Sequence, residues 1–214
     1  MKTLPKNVWI LTVGLALMMS SSSLTVFVGG IVGNHLAPSK EMATLPVAAI
    51  IIGTALFTIP VALLMKNLGR RRSFLLISFT SIFISLLAAY SIHISSFYLL
   101  CLALALMGIS VSSLNQFRFA AMESVPDTLI PKAASTVLLG GIAAAFIGPE
   151  IAVGGKEMLQ IDFSGSFVLL SILFLLGTLI LTQYQNPKES SKVLEGTVRS
   201  LKKIILQPLF LVQM

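Results

Sequence analysis

Long apolar runs alternate with short clusters of charged residues, and this alternation restricts the fold more than any other feature of the sequence. A helix needs about 20 apolar residues to cross a bilayer. Hydrophobic residues make up 56% of the chain and charged residues 11%, and the mean hydropathy is +0.94, which excludes an ordinary soluble domain. The pattern predicts an all-α polytopic membrane protein with six transmembrane helices, at residues 8–32, 44–65, 74–92, 97–117, 133–153 and 163–182.

The first apolar run has a second interpretation as a signal peptide, because Lys2 and Lys6 precede it. Hydrophobicity resumes after Ser23 with the string LTVFVGGIV. The whole segment is therefore longer than a typical signal peptide, and we interpret it as a spanning helix.

Basic residues are concentrated in alternate loops, and this predicts the orientation of the chain. Of the 15 lysines and arginines, only Lys40 and Lys156 lie in the other set of loops. Because cytoplasmic loops carry the excess of basic residues, we expect the N-terminus and the segment after the sixth run in the cytoplasm. The membrane expected is a bacterial inner (plasma) membrane. Basic loops also account for the net charge of +7, so the charge predicts no nucleic-acid partner.

The second and third runs are joined by a basic turn within residues 62–76, ALLMKNLGRRRSFLL. A tight turn favours Gly69, because glycine readily adopts positive φ. Arg70, Arg71 and Arg72 can hold anionic headgroups or the carboxylates of a neighbouring linker. A basic anchor on the inner membrane surface is an equally simple interpretation of these arginines.

This turn resembles the signature G-x-x-x-D-[RK]-x-G-[RK]-[RK], which joins helices two and three in the major facilitator superfamily. Gly69, Arg70 and Arg71 match its second half, whereas Ala62 and Lys66 replace its first glycine and its aspartate. In that family the acid helps to latch a cytoplasmic gate. The resemblance therefore implies a gate in which a lysine occupies the position of the acid.

Small residues recur at every fourth position of the fifth run, and such stripes let helix backbones approach closely. Gly148 precedes Pro149, which is expected to break or bend the helix near its outer end. The stripe consists of Thr136, Gly140, Ala144, Gly148 and Ala152.

The fifth run is also similar to the antiporter motif G-x8-G-x3-G-P-x2-G-G of the same superfamily. Ala144 stands for one glycine of that motif, and Gly154 and Gly155 fall two positions late. The resemblance implies a helix that hinges against a neighbour and seals an outer gate. The alternative is a close-packed helix pair with no moving part.

The connection between the fourth and fifth runs, residues 115–136, begins NQFRFAAMESVP. Arg118 between two phenylalanines resembles the Q-x-R-F-A-A-like end of helix four in one bacterial branch of the superfamily, and it joins the gate candidates. Other members carry an arginine four residues before a glycine in this helix. Here Leu104 takes that place before Gly108.

Polar residues within the runs are candidates to line a substrate cavity, although hydroxyls that only satisfy helix packing are the commoner case. Four consecutive serines sweep about 300° of a helix, so some of them must face neighbouring helices. The candidates are Ser20, Ser21, Ser22, Ser23, Asn115 and Gln116.

No aspartate or glutamate lies in the central turns of any run, so the sequence offers no obvious proton-coupling acid. Glu150 is expected near the outer end of the fifth helix. Cys101 is the single cysteine, and we expect no metal site, no disulfide and no cofactor.

Together these features resemble the N-terminal half of a twelve-helix major facilitator transporter, built as a 3+3 inverted repeat. The expected organisation is a six-helix domain at residues 1–184 and a cytoplasmic linker at 185–203. Residues 204–214 would begin a truncated seventh helix or form a surface helix. The expected partners are the bilayer, a small-molecule substrate, and a second six-helix half or another copy of the chain.

The function implied is transport of a small solute by alternating access, with efflux as one direction. A non-transporting remnant and a homodimerising half-transporter remain alternatives. An intramembrane enzyme is disfavoured, because no G-x-S-x-G-like string is present and the two histidines lie near run ends.

Overall fold

The computed structural model describes residues 3–159, 161 and 163–186. Within them the chain is helical, with no strand, and six helical segments are long and apolar enough to cross a membrane. We call these segments spans 1 to 6; they are Lys6–Leu36, Lys40–Leu68, Arg70–His93, Phe97–Met122, Asp127–Gly154 and Ser164–Leu181. The six-span, all-α prediction is confirmed. All but the first two residues of the predicted linker, and all of residues 204–214, lie outside the described residues.

The principal contacts relate the first three spans to the last three. Span 1 packs mainly on span 5, span 2 on span 4, and span 3 on span 6. Exchanging spans 1, 2 and 3 with spans 4, 5 and 6 reproduces the same three pairs. Since three is odd, equivalent spans run in opposite directions, which is the relation expected of a 3+3 inverted repeat.

Spans 2 and 5 also share local features that support this relation. Each begins with a short 3-10 helix, at Lys40–Met42 and Asp127–Leu129. Each has a proline in the first turn of its α-helix, where a missing N–H costs little, and a second proline inside the helix. These prolines are Pro46 and Pro60 in span 2, and Pro131 and Pro149 in span 5.

Glycines form the two equivalent contacts between spans 2 and 4 and between spans 1 and 5. Gly53 lies against the backbone carbonyl of Ala105, and Gly108 lies against the backbone of Gly53. At the other contact Gly148 faces span 1, where an added Cβ would lie 2.8 Å from the carbonyl oxygen of Ser20. Side chains at these positions would push the helices apart, so the glycines set the spacing of both pairs.

A serine hydroxyl reinforces each of these contacts. Ser23 Oγ of span 1 donates to the carbonyl oxygen of Ala144 in span 5 at 3.0 Å. Ser112 Oγ of span 4 donates to the carbonyl oxygen of Thr54 in span 2 at 2.9 Å. Interhelical hydrogen bonds of this kind are each worth roughly 0.6 kcal/mol in membrane bundles.

Two helices differ in detail from the predicted ones. Span 1 consists of the helices Lys6–Met18 and Ser20–Leu36, which meet at Met19. The serines nearby bond to carbonyls three residues back, as Ser20 Oγ does to Leu17 at 2.5 Å, and such bonds distort helices. Span 5 is not broken at Pro149, since its α-helix continues from Ile130 to Gly154.

Candidate functional site

The ends of several spans meet at one end of the bundle, which we call the basic end. It comprises Asn7, the turn at residues 66–72, the connection at 115–132 and the segment after span 6, at 182–186. Gly69 forms the whole turn between spans 2 and 3 with φ of 78°, a conformation that favours glycine. The sequence-predicted gate residues all lie at this end.

Arg70 and Glu123 form the one ion pair found among the described residues. Arg70 Nε donates to Glu123 Oε2 at 2.6 Å, and Arg70 Nη2 donates to Oε1. This two-point pairing fits the fork of a guanidinium to a carboxylate. It ties the turn between spans 2 and 3 to the connection between spans 4 and 5. In the sequence, Glu123 lies within the connection at residues 115–136, and no local pattern identifies it as the partner of Arg70.

Arg71 fastens the chain after span 6 to the same turn. Its Nη2 donates to the carbonyl oxygen of Thr182 at 2.8 Å, and its backbone N–H donates to Asn186 Oδ1 at 3.1 Å. Asn7 Nδ2, at the start of span 1, donates to the carbonyl oxygen of Gln185 at 2.7 Å. Residues 182–186 therefore connect spans 1, 3 and 6. We call them the exit segment.

Tyr184 of the exit segment is buried beneath these polar contacts. Its ring lies 5.8 Å from Phe74, which in turn lies 4.6 Å from Phe117, measured between ring centroids. Its hydroxyl has no hydrogen-bond partner in the described part of the chain. The nearby Ser124 hydroxyl donates to the carbonyl oxygen of Ala120. Burial raises the pKa of the Tyr184 phenol, so the neutral form is favoured.

The remaining predicted gate residues, Lys66, Arg72 and Arg118, are exposed. Lys66 lines a cavity of about 430 Å³ together with Arg70 and Glu123. Arg72 is exposed on the first turn of span 3. Arg118 is exposed too, and its guanidinium lies 5.0 Å from the centroid of the Phe119 ring, within the range of a cation–π contact.

A second cavity, also about 430 Å³, opens between spans 1, 2 and 4 and is almost entirely apolar. Ser22 and Thr54 are its polar residues. The Ser22 hydroxyl is buried and has no partner among the described residues, as is also true of the neighbouring Ser21 and Thr25 hydroxyls. The apolar lining residues are Val26, Ile50, Ile51, Ala55 and Val111. We call this space the inner cavity.

Only one of the four predicted serines lines the inner cavity. Ser20 and Ser21 are fully buried in the bundle, and Ser23 bonds to span 5. Consecutive helix positions point in different directions, but the sequence does not show which of these directions faces the inner cavity.

The two predicted amides lie in different places. Gln116 lines the cavity of Lys66 at the basic end. Asn115 and Arg118 line a third cavity of about 250 Å³, which lies between spans 1, 4 and 5. Neither amide lines the inner cavity.

The small-residue stripe of span 5 faces span 1. All five of its residues are buried, and Gly140 lies against the backbone of Thr12. Pro149, next to the stripe, is half-buried. The stripe is therefore a packing surface in this structure.

Comparison with known proteins identifies the family. The sequence profile described as Major Facilitator Superfamily matches residues 10–213. The chain is similar to the riboflavin transporter RfnT of Brucella anthropi, with 32% identity over 209 residues, which cover 96% of this chain and 52% of that protein. The chain thus spans about half the length of this relative. No solved structure matches it significantly. With its six apolar spans and this match over most of its length, the chain belongs to the major facilitator superfamily of membrane transporters and is an integral multi-pass membrane protein.

Proposed function

We propose that the chain acts as the N-terminal six-helix domain of a secondary transporter, which moves a small solute by alternating access against a second six-helix unit. The observation that carries this proposal is the match to 52% of a transporter by 96% of the chain. The burial of the spans also supports a second unit. Only 22% of the apolar stretch of span 2 and 28% of that of span 5 are buried, against 50–56% in the other four spans.

We infer that the substrate is neutral and contains a flat ring system that can enter an apolar cavity, and riboflavin is the first compound to test because the relative's name specifies it. The inner cavity contains no charged residue, and its polar residues are Ser22, whose hydroxyl has no partner among the described residues, and Thr54, whose hydroxyl donates to the carbonyl oxygen of Ile50 at 2.7 Å. Such a site suits a flat aromatic molecule with a few hydrogen-bonding groups. Its volume of about 430 Å³ falls in the range of roughly 300–1,000 Å³ typical of ligand pockets.

A chimera tests this function directly. The described six-span unit would replace the corresponding half of the Brucella anthropi relative, and uptake of labelled riboflavin would be measured in cells that lack their own transporter. We expect uptake well above that of empty cells. Val111→Trp, which fills the inner cavity, should abolish it, whereas Leu179→Trp on the exposed face of span 6 should not. A folded chimera without uptake, or equal loss in both variants, would contradict the proposal.

Experiments on the chain without a second unit distinguish the homodimerising half-transporter from the non-transporting remnant. Two differently tagged copies would be co-purified and their mass measured in detergent. A dimer that takes up riboflavin would identify a homodimerising half-transporter, whereas an inert monomer that is active only in the chimera supports the need for a second unit. An inert monomer together with an inert chimera would identify a non-transporting remnant.

We infer that the basic end faces the cytoplasm of a bacterium whose inner membrane contains the chain. The basic residues at this end support the orientation. Alkaline phosphatase is active only outside the cytoplasm, so a fusion at Lys40 should be active and fusions at Lys66 and Lys132 inactive. The reverse activities would overturn the orientation.

We further infer that Gly69, Arg70, Arg71 and Lys66 belong to an inner gate, with Arg72 and Arg118 at its rim. The ion pair between Arg70 and Glu123 supports this role, since it joins connections on both sides of the pseudo-symmetry. In the same proposal, span 5 is held tightly against span 1, so that the two spans move together as one body when the gate opens. The span 5 residues at this contact are Gly140, Ala144, Gly148 and Pro149.

A further inference from the structure

The cavity at Lys66 is lined by several hydrogen-bond donors and by one carboxylate, Glu123, which is paired with Arg70. Its polar residues are Lys66, Arg70, Gln116, Glu123 and Asn186. Asn186 Oδ1 accepts the backbone N–H of Arg71, and this fixes the amide so that Nδ2 is left to donate. Nδ2 also lies beside Gly69, 3.3 Å from where a Cβ would be.

Counted over the described residues, the cavity lining has one more positive than negative side chain. Arg70 neutralises Glu123 through two contacts. Among the described residues no carboxylate lies within ion-pair distance of Lys66. The cavity adjoins the first turn of span 3, a helix of 24 residues whose N-terminus attracts anions. Its chemistry therefore fits an anion with several acceptor oxygens, such as a phosphate group.

An exposed apolar stripe runs along span 2 toward Lys66. Its residues are 54–70% exposed and occur at alternating spacings of four and three, so they share one face of the helix, and Lys66 continues the spacing. The residues are Ile52, Leu56, Ile59 and Leu63. We call them the outer stripe.

The outer stripe does not face the inner cavity. At 100° per residue, it lies about 90° around the helix axis from Ile51 and Ala55, which line the inner cavity. A second six-helix unit that closes the inner cavity would cover the face of Ile51 and Ala55, and the outer stripe points away from that face, toward the lipid chains. Lys66 falls between the two directions and reaches the polar cavity from the lipid side.

We propose that this chain binds an anionic phospholipid, with its phosphate in the cavity of Lys66, Gln116 and Asn186 and its acyl chains along the outer stripe. Lys66 supplies the charge, Asn186 supplies an amide donor that is oriented by its bond to the Arg71 N–H, and Gln116 supplies a second amide, while Arg70 stays paired with Glu123. A zwitterionic lipid binds more weakly, because its own cation meets the positive cavity. The proposal is independent of the transported substrate.

Native mass spectrometry of the full chain, with phosphatidylglycerol or phosphatidylcholine added in detergent, tests the site. We expect phosphatidylglycerol to bind more tightly, and Lys66→Gln to weaken it about fivefold, the effect of one basic residue near a lipid surface. Lys132→Gln removes the same charge at the basic end but outside the cavity, and should change the affinity less than twofold. Equal losses in these two variants, or no loss in Lys66→Gln, would overturn the proposal.

Asn186→Asp provides a second variant that keeps the fold. It retains the oxygen that accepts the Arg71 N–H and exchanges the free amide donor for a negative oxygen. We expect it to weaken phosphatidylglycerol binding about tenfold and phosphatidylcholine binding less, because the new carboxylate repels the phosphate of both lipids but attracts the choline cation. Millimolar inorganic phosphate should not displace the lipid; displacement would assign the cavity to free phosphate. If a co-expressed second six-helix unit displaces the lipid, a protein group occupies the cavity and the lipid assignment is wrong.

Discussion

Gly53→Ala is expected to destabilise the bundle by about 3 kcal/mol, near the upper end of the cost of overpacking a core. The new Cβ would collide with the carbonyl of Ala105, part of a helix backbone that cannot rotate away. Spans 2 and 4 must then separate, and Gly108 loses its contact with the same backbone. The higher helix propensity of alanine, worth about 1 kcal/mol, offsets only part of this cost.

Thermal unfolding of the purified chain in detergent measures this effect. A loss of about 3 kcal/mol lowers Tm by roughly 6–12 °C for a chain of this size. Gly30→Ala is the matched control, because no atom lies within 4 Å of the added Cβ. The control should keep or slightly raise Tm. If both variants have the Tm of the parent chain, the close contact of spans 2 and 4 is not the one described.

Tyr184→Ala is expected to cost about 3–5 kcal/mol, the usual loss when a buried aromatic ring is removed. The ring is fully buried and contacts Phe74, so its removal leaves a cavity under the exit segment. Without the ring, the hydrogen bonds of Arg71 and Asn7 to the exit segment lose their support. The large effect of one residue outside the spans would show that this segment is part of the folded domain.

Tyr184→Phe is the control and has the opposite expected sign. It keeps the ring and removes a buried hydroxyl without a partner, so the chain should be as stable as the parent or more stable by up to about 1 kcal/mol.

The folded state raises the pKa of the phenol of Tyr184 and therefore holds its proton more tightly than the unfolded chain does. The resulting contribution to the free energy of unfolding is fully present below the phenol's ordinary pKa, and it is lost as the pH rises through the folded-state pKa. Tyr184→Phe should remove this part of the alkaline destabilisation; a drop in Tm as large as that of alanine would contradict this description.

The six spans could be predicted because hydropathy acts locally and the bilayer requires a fixed helix length. The stripe of span 5 could also be recognised, because its small residues repeat on one face. Gly53 and Gly108 gave no such signal. Each is an isolated glycine in its own helix, and its role appears only when spans 2 and 4 are side by side.

The candidate site was predictable as an inventory of residues but not as a set of contacts. The basic turn identified Arg70, but its partner Glu123 lies 53 residues further along the chain. The serine cluster of span 1 was singled out as a candidate to line a cavity, yet in the structure only Ser22 lines the inner cavity. Helix rotation and long-range pairing determine these outcomes, and neither is encoded in a local pattern.

The pairing of spans 1 and 5 has a consequence for biosynthesis. Ser23 and Ala144, which bond to each other, are separated by 121 residues. At about 5–20 residues per second, the ribosome needs roughly 6–24 s to make the intervening chain. During this time the hydroxyl of Ser23 lacks its acceptor in span 5 and has only the carbonyl oxygen of Ser20 in its own helix, while spans 2 to 4 are being inserted. Three further spans are therefore made between span 1 and its main neighbour, against one for span 2 and two for span 3, so span 1 has the longest wait of the three pairs.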